Sequence, residues 1–201
     1  MHIPFSDTKD IEVLSFTDAM VSTNDSYDRD RWIYVPDFYS EYRYILGTKG
    51  EKPLICIGIN PSTAEPDHLD NTLKSVERIA LANGFDSFIM FNVYAQRATN
   101  PDDMENACNE LLHAENMKAF EYVLGLSEKP AVWAAWGNII EKRSYLKACV
   151  RSMIELGERY HANWYSAGKI SKKGHPHHPL YLRKDSPLDL FDIRNYIDHL
   201  S

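Results

Sequence analysis

The sequence predicts an α/β protein, a three-layer α/β/α sandwich around a short, mostly parallel central sheet. Three observations carry that expectation. Short apolar runs at Leu54–Ile59, Ser87–Val93, Pro130–Ala135 and His161–Ser166 read as strands, the first two apolar enough to be buried on both faces. Helical periodicity separates or follows them. The connections are too long for hairpins and suit right-handed crossovers between parallel strands.

Taken in order, residues 1–30 are acidic and irregular, with one short apolar piece at Ile11–Phe16. The segment 1–40 is expected to be peripheral. Trp32–Val35 reads as a short strand closed by Pro36. Tyr42–Leu46 alternates and precedes Gly47 and Gly50, so it is expected to pair antiparallel with the strand at Leu54; a helix over Phe38–Leu46 is the alternative. Asp70 or Asn71 caps a helix that runs to Asn83-Gly84, with Leu73, Val76, Ile79 and Ala80 inward. Thr99 or Asn100 caps a second helix, which has Pro101 in its first turn and reaches Leu124. A long basic helix follows Trp136-Gly137-Asn138 and ends near Gly157. A loop at Gly168–Pro179 leads to a final amphipathic helix over Pro187–Leu200, capped by Ser186.

With 201 residues and 44% hydrophobic content, one domain over 1–201 is expected. No run approaches the roughly 18 apolar residues of a membrane span. Met1–Phe5 does not start a secretory signal, so a cytoplasmic protein is expected. Cys56, Cys108 and Cys149 are odd in number and widely spaced, which indicates neither a disulfide framework nor a cysteine metal site. The net charge of −7 argues against indiscriminate binding of nucleic acid. Residues 140–184 nevertheless hold 10 Lys and Arg against 3 Glu, so a local basic face is open.

The site signal begins at Gly58-Ile59-Asn60-Pro61-Ser62-Thr63. Gly58 permits close backbone approach, Pro61 ends ladder pairing, and Asn60, Ser62 and Thr63 put polar groups where a strand emerges. Ligands of open α/β sheets sit outside such carboxyl ends. A plain strand-to-loop transition is the competing reading. Three further polar exits follow: Asn92-Val93-Tyr94-Ala95-Gln96-Arg97, Trp136-Gly137-Asn138, and His175-Pro176-His177-His178-Pro179-Leu180.

Together with Asp70-Asn71-Thr72 and Arg97-Ala98-Thr99, these motifs resemble the bacterial and phage family called domain of unknown function 1643, over Tyr42 to Leu188. Asn71 departs from it, since that family usually has Pro there. The same motifs are similar, more distantly, to the uracil-DNA glycosylase superfamily. That resemblance implies a glycosylase-like core over 42–188. In it Asn60 would position the attacking water, Asn92 would read a flipped base, Trp136-Gly137 would end the third strand, and His178 would stabilise the departing base. It implies a nucleobase, nucleotide or flipped base in nucleic acid as ligand.

The chemistry fits those residue types. N-glycosidic cleavage needs a positioned water, tolerance of an oxocarbenium-like sugar and a donor for the leaving base. An amide orients water but is a poor base, so Asn60 implies slow chemistry. The glycosylases stack the base on an aromatic after motif one, and Pro61–Thr72 has none; Tyr94 and Tyr181 are the substitutes. Ser62 and Thr63 suit backbone or phosphate oxygens, and Arg97 is either a phosphate or carboxylate clamp or an exposed or ion-paired residue. His175, His177 and His178 lack a carboxylate at metal-ligand spacing, so no metal and no cofactor is expected. Two other classes stay open: a non-catalytic module binding a nucleotide or modified base, and a hydrolase of a small phosphorylated substrate.

Overall fold

The computed structural model describes residues 11–21 and 26–200; the expectations for Met1–Phe5 and for the rest of 1–10 lie outside them. Its strands are β1 (Trp32–Val35), β2 (Ile45–Thr48), β3 (Pro53–Gly58), β4 (Ser87–Asn92), β5 (Ala131–Ala134), β6 (Asn163–Ala167) and β7 (Leu188–Leu190). They form one sheet in the order β1-β2-β4-β3-β5-β6-β7. The four central strands are parallel, and β1, β2 and β7 join the flanks antiparallel. The helices are α1 (Phe16–Val21), α2 (Asn71–Ala82), α3 (Glu110–Leu124), α4 (Ser144–Arg159) and α5 (Ile193–His199).

Alternation along the strands divides the core in two. Leu54, Cys56, Phe88, Met90 and Trp133 pack with Leu73, Val76 and Ile79 of α2. Ile55, Ile57, Ile89, Phe91 and Val132 pack with α3 and α4 on the opposite face. The sandwich therefore has three layers. Burying Leu73, Val76 and Ile79 contributes about 1.5–3 kcal/mol each, which is what anchors α2. Asp70 caps that helix, its carboxylate accepting from Leu73 N–H, and Asn83 ends it.

The flanks differ from the sequence expectations. β2 pairs with β1 and β4, not with β3, because β3 already has parallel partners on both edges. Residues 101–103 make only a single 3₁₀ turn, and α3 starts at Glu110 behind its own cap, Asn109. The basic stretch likewise opens as a 3₁₀ turn at Gly137–Glu141 before α4 begins at Ser144. The final helix is shorter than expected. Leu188–Leu190 instead covers the open edge of β6, and α5 starts after Asp192. The segment around Phe16 is not peripheral: Phe16 is buried, its N–H donates to Glu115 Oε2 (2.7 Å), and Leu14 bonds the hydroxyls of Tyr42 and Tyr44. Among the described residues no helix is long and apolar enough to cross a membrane.

Candidate functional site

In parallel register Gly58 stands directly beside Asn92, so the first two polar exits leave the sheet together. Their loops are then bonded side by side. Val93 N–H donates to Gly58 O, Tyr94 N–H to Ile59 O and Ala98 N–H to Pro61 O, each at 2.9 Å. Asn60 reinforces the pair, since its Nδ2 donates to Ala98 O (2.7 Å) and Pro61 O (3.0 Å). Its amide oxygen is left as an acceptor. Arg43 lies alongside, its N–H bonded to Ala95 O at 2.9 Å.

A cavity of about 600 Å³ opens at these carboxyl ends, within the usual range for small-molecule sites. Asn60, Asn92 and His178 line it, with Gly58, Pro61, Ser62 and Thr63. Asn92 is 1% exposed, and neither its Oδ1 nor its Nδ2 has a hydrogen-bond partner. An orphaned buried amide is costly, which sets Asn92 apart from the other polar groups at these strand ends. Gly58 matters for the same reason. A Cβ there would sit 2.6 Å from Met90 Cε and 3.3 Å from Asn92 Oδ1.

His178 arrives from the far loop. Ser75 of α2 donates to Pro179 O (2.9 Å) and holds that loop down, while Gly137, at φ +61°, brings the exit of β5 against the His178 backbone. His178 Nδ1 accepts from Leu180 N–H at 3.3 Å, so in the neutral ring Nε2 carries the proton. Burial, with the neighbouring His177, pushes the imidazole pKa down and keeps that neutral form dominant; Asp70 opposes this. His178 is thus a neutral N–H donor.

Residues 43–180 match the family model described as protein of unknown function, DUF1643. The chain belongs to this family. No curated protein and no solved structure matches it. The DUF1643 match takes in every residue that lines the cavity except Tyr181, while α1 and α5 lie outside it.

Within the DUF1643 core, other residues predicted for the site are placed elsewhere. Arg97 is wholly buried and does not line the cavity: it bonds the carbonyls of Ser62 and Ala64 and the Tyr34 hydroxyl, bracing the 61–64 loop. Tyr94 is buried too, its hydroxyl held between Glu105 Oε2 (2.6 Å) and Asn109 N–H (2.9 Å). Trp136 donates to Tyr196 (2.8 Å), and His175 bonds Tyr196 (3.0 Å) and Glu141 (3.3 Å) behind the loop that carries His178. Trp136, Gly137 and His175 do not line the cavity.

Two wall residues escaped the sequence reading. Asp70 is the one carboxylate among the residues lining the cavity; Oδ1 caps α2 and Oδ2 is uncommitted. Its cap role hid it. Arg43 is 1% exposed and lines the inner wall. Its signal was a cation inside the apolar run Tyr42-Arg43-Tyr44-Ile45-Leu46.

Proposed function

We propose that the cavity hydrolyses an N-glycosidic bond of a nucleobase carried by a nucleotide or nucleic acid, in the manner implied by the resemblance to the uracil-DNA glycosylases. The observation that carries this reading is the meeting of Asn60, Asn92 and His178, from three distant chain exits, on one cavity. Asn60 Oδ1 orients the water. The unpartnered amide of Asn92 reads the base edge, supplying one donor and one acceptor. His178 Nε2–H donates to the base as its bond to the anomeric carbon breaks and the base takes the electron pair. The water oxygen bonds that carbon, and its proton passes to Asp70 Oδ2, the carboxylate that Asn60 cannot replace. Tyr181, 82% exposed at the rim, offers the stacking ring absent from Pro61–Thr72.

The test is release of free base from DNA containing uracil, hypoxanthine or an alkylated base, and from the corresponding nucleoside monophosphates. Wild type releases base, and N60A and H178N lose at least about 100-fold while still melting cooperatively. No release from any substrate, or full release by both variants, overturns the reading. A second reading, binding without turnover, is favoured by the amide at Asn60. A ligand-induced rise in melting temperature without base release selects it.

A further inference from the structure

Among the described residues, Arg43 is a buried cation with no counter-ion in contact. Nη1 donates to Ala64 O (3.1 Å), and the buried Nε has no hydrogen-bond partner. No carboxylate among the described residues comes within ion-pairing distance of it; another buried guanidinium, Arg97, repels its charge, while Tyr34, Asp70 and Tyr39 favour it without contact. Desolvation and Arg97 press its pKa down to about 9, still well above neutrality, so the charge persists. A buried charge in this state is costly unless a ligand compensates it.

The surrounding wall is rich in donors. The first turn of α2 opens into the cavity, where the backbone N–H groups of Asn71 and Thr72 lack intrahelical acceptors while Leu73 N–H is taken by Asp70. Ser62, Thr63 and Thr99 add hydroxyls. Asp70 is the opposing charge, but it is engaged by Leu73 N–H and is not in ion-pairing contact with Arg43.

We propose that Arg43 recognises a phosphate monoester and that the ligand of this cavity is a free nucleoside monophosphate. A guanidinium at 1% exposure is reached only by a terminal group that enters the cavity. The diester backbone of a polynucleotide passes outside it, and the chain's net charge of −7 opposes a polyanion. This rests on the nucleotide reading of the cavity, but it concerns binding and requires no turnover.

The experiment measures affinity by calorimetry and thermal shift for uridine and inosine, their 5′-monophosphates, inorganic phosphate, and a short 5′-hydroxyl oligodeoxynucleotide. Wild type binds a monophosphate at least about 100-fold tighter than its nucleoside, in line with a charge-assisted, bidentate contact. R43M removes that preference and melts, unliganded, no lower than wild type, because an uncompensated charge has become an apolar side chain. R43K keeps the charge without the fork, so it binds the monophosphate more weakly than wild type; it serves if R43M does not fold. D70N tightens the monophosphate while abolishing any base release, so binding and turnover fail separately. Equal affinity for nucleoside and monophosphate overturns the proposal. So does an R43M or R43K variant with the full phosphate preference, or an oligonucleotide that binds as tightly as the mononucleotide.

Discussion

Asp70 carries its two carboxylate oxygens in different surroundings: one caps α2 through Leu73 N–H at 2.9 Å, the other is uncommitted beside the cavity. Asn caps a helix as well as Asp does, so D70N separates the two roles. The expected stability is within about 0.5 kcal/mol of wild type, whereas base release falls by about 10²–10⁴. A melting curve and a release assay on the same preparation check this. His178 makes a second residue-scale prediction. Its pKa is lowered in the folded protein, so the unfolded chain binds the proton more readily. The associated stability is present above the ordinary His value of about 6.5 and is lost as pH falls through the lower folded pKa. H178N keeps an acceptor for Leu180 N–H and removes the titration. In denaturant titrations from pH 5 to 8, wild type is therefore expected to weaken relative to H178N on the acid side only. A pH-independent difference would remove the argument. At this scale the amides and His178 were legible, because polar groups at the ends of apolar strands stand out. Arg43 and Asp70 were not, since a strand cation and a helix cap both have ordinary explanations until the cavity joins them.

The central elements were legible because burial on both faces leaves an uninterrupted apolar run, and α2 because its cap and stripe agree. The flanks were not. Whether Leu188–Leu190 is helix or strand is decided by the free edge of β6, which no local pattern reports. Glycines show how tightly these elements are joined. A Cβ on Gly47 would lie 2.2 Å from Phe88 O and 2.8 Å from Ile89 Cα, both backbone atoms of β4. G47A therefore has to part β2 from β4, and a loss of about 3 kcal/mol is expected in urea denaturation. G58A differs in kind, because the nearest atom is the flexible end of Met90 and the next is Asn92 Oδ1. It is expected to cost less than about 1.5 kcal/mol of stability yet, on the proposed reading, weaken nucleotide binding by about tenfold or more, as the Asn92 amide is displaced. A G58A protein with wild-type affinity would mean that Asn92 does not touch the ligand.

Across the whole molecule, the loop that carries His178 is bonded to a helix that the family match does not include. Trp136 Nε1–H donates to Tyr196 of α5 (2.8 Å), leaving the Tyr196 hydroxyl proton for His175 Nδ1 (3.0 Å). His175 Nε2 then faces Glu141 Oε1 at 3.3 Å, and Lys173 bonds the other carboxylate oxygen. The chain of bonds ties the end of β5, the C-terminal helix and the His178 loop into one frame. His175 and Trp136 stand at polar chain exits that suggest site residues, but they do not line the cavity and belong to this frame instead. Y196F tests the frame by deleting one hydroxyl without changing the ring packing against Trp136 and Phe191. Breaking these two bonds is expected to cost about 1–3 kcal/mol in a denaturation experiment. If the frame sets where His178 Nε2–H points, turnover falls by up to about 100-fold while the preference for a monophosphate, which depends on Arg43, is retained. Full turnover in a destabilised Y196F protein would show instead that α5 only covers the sheet and that the His178 loop holds its own position.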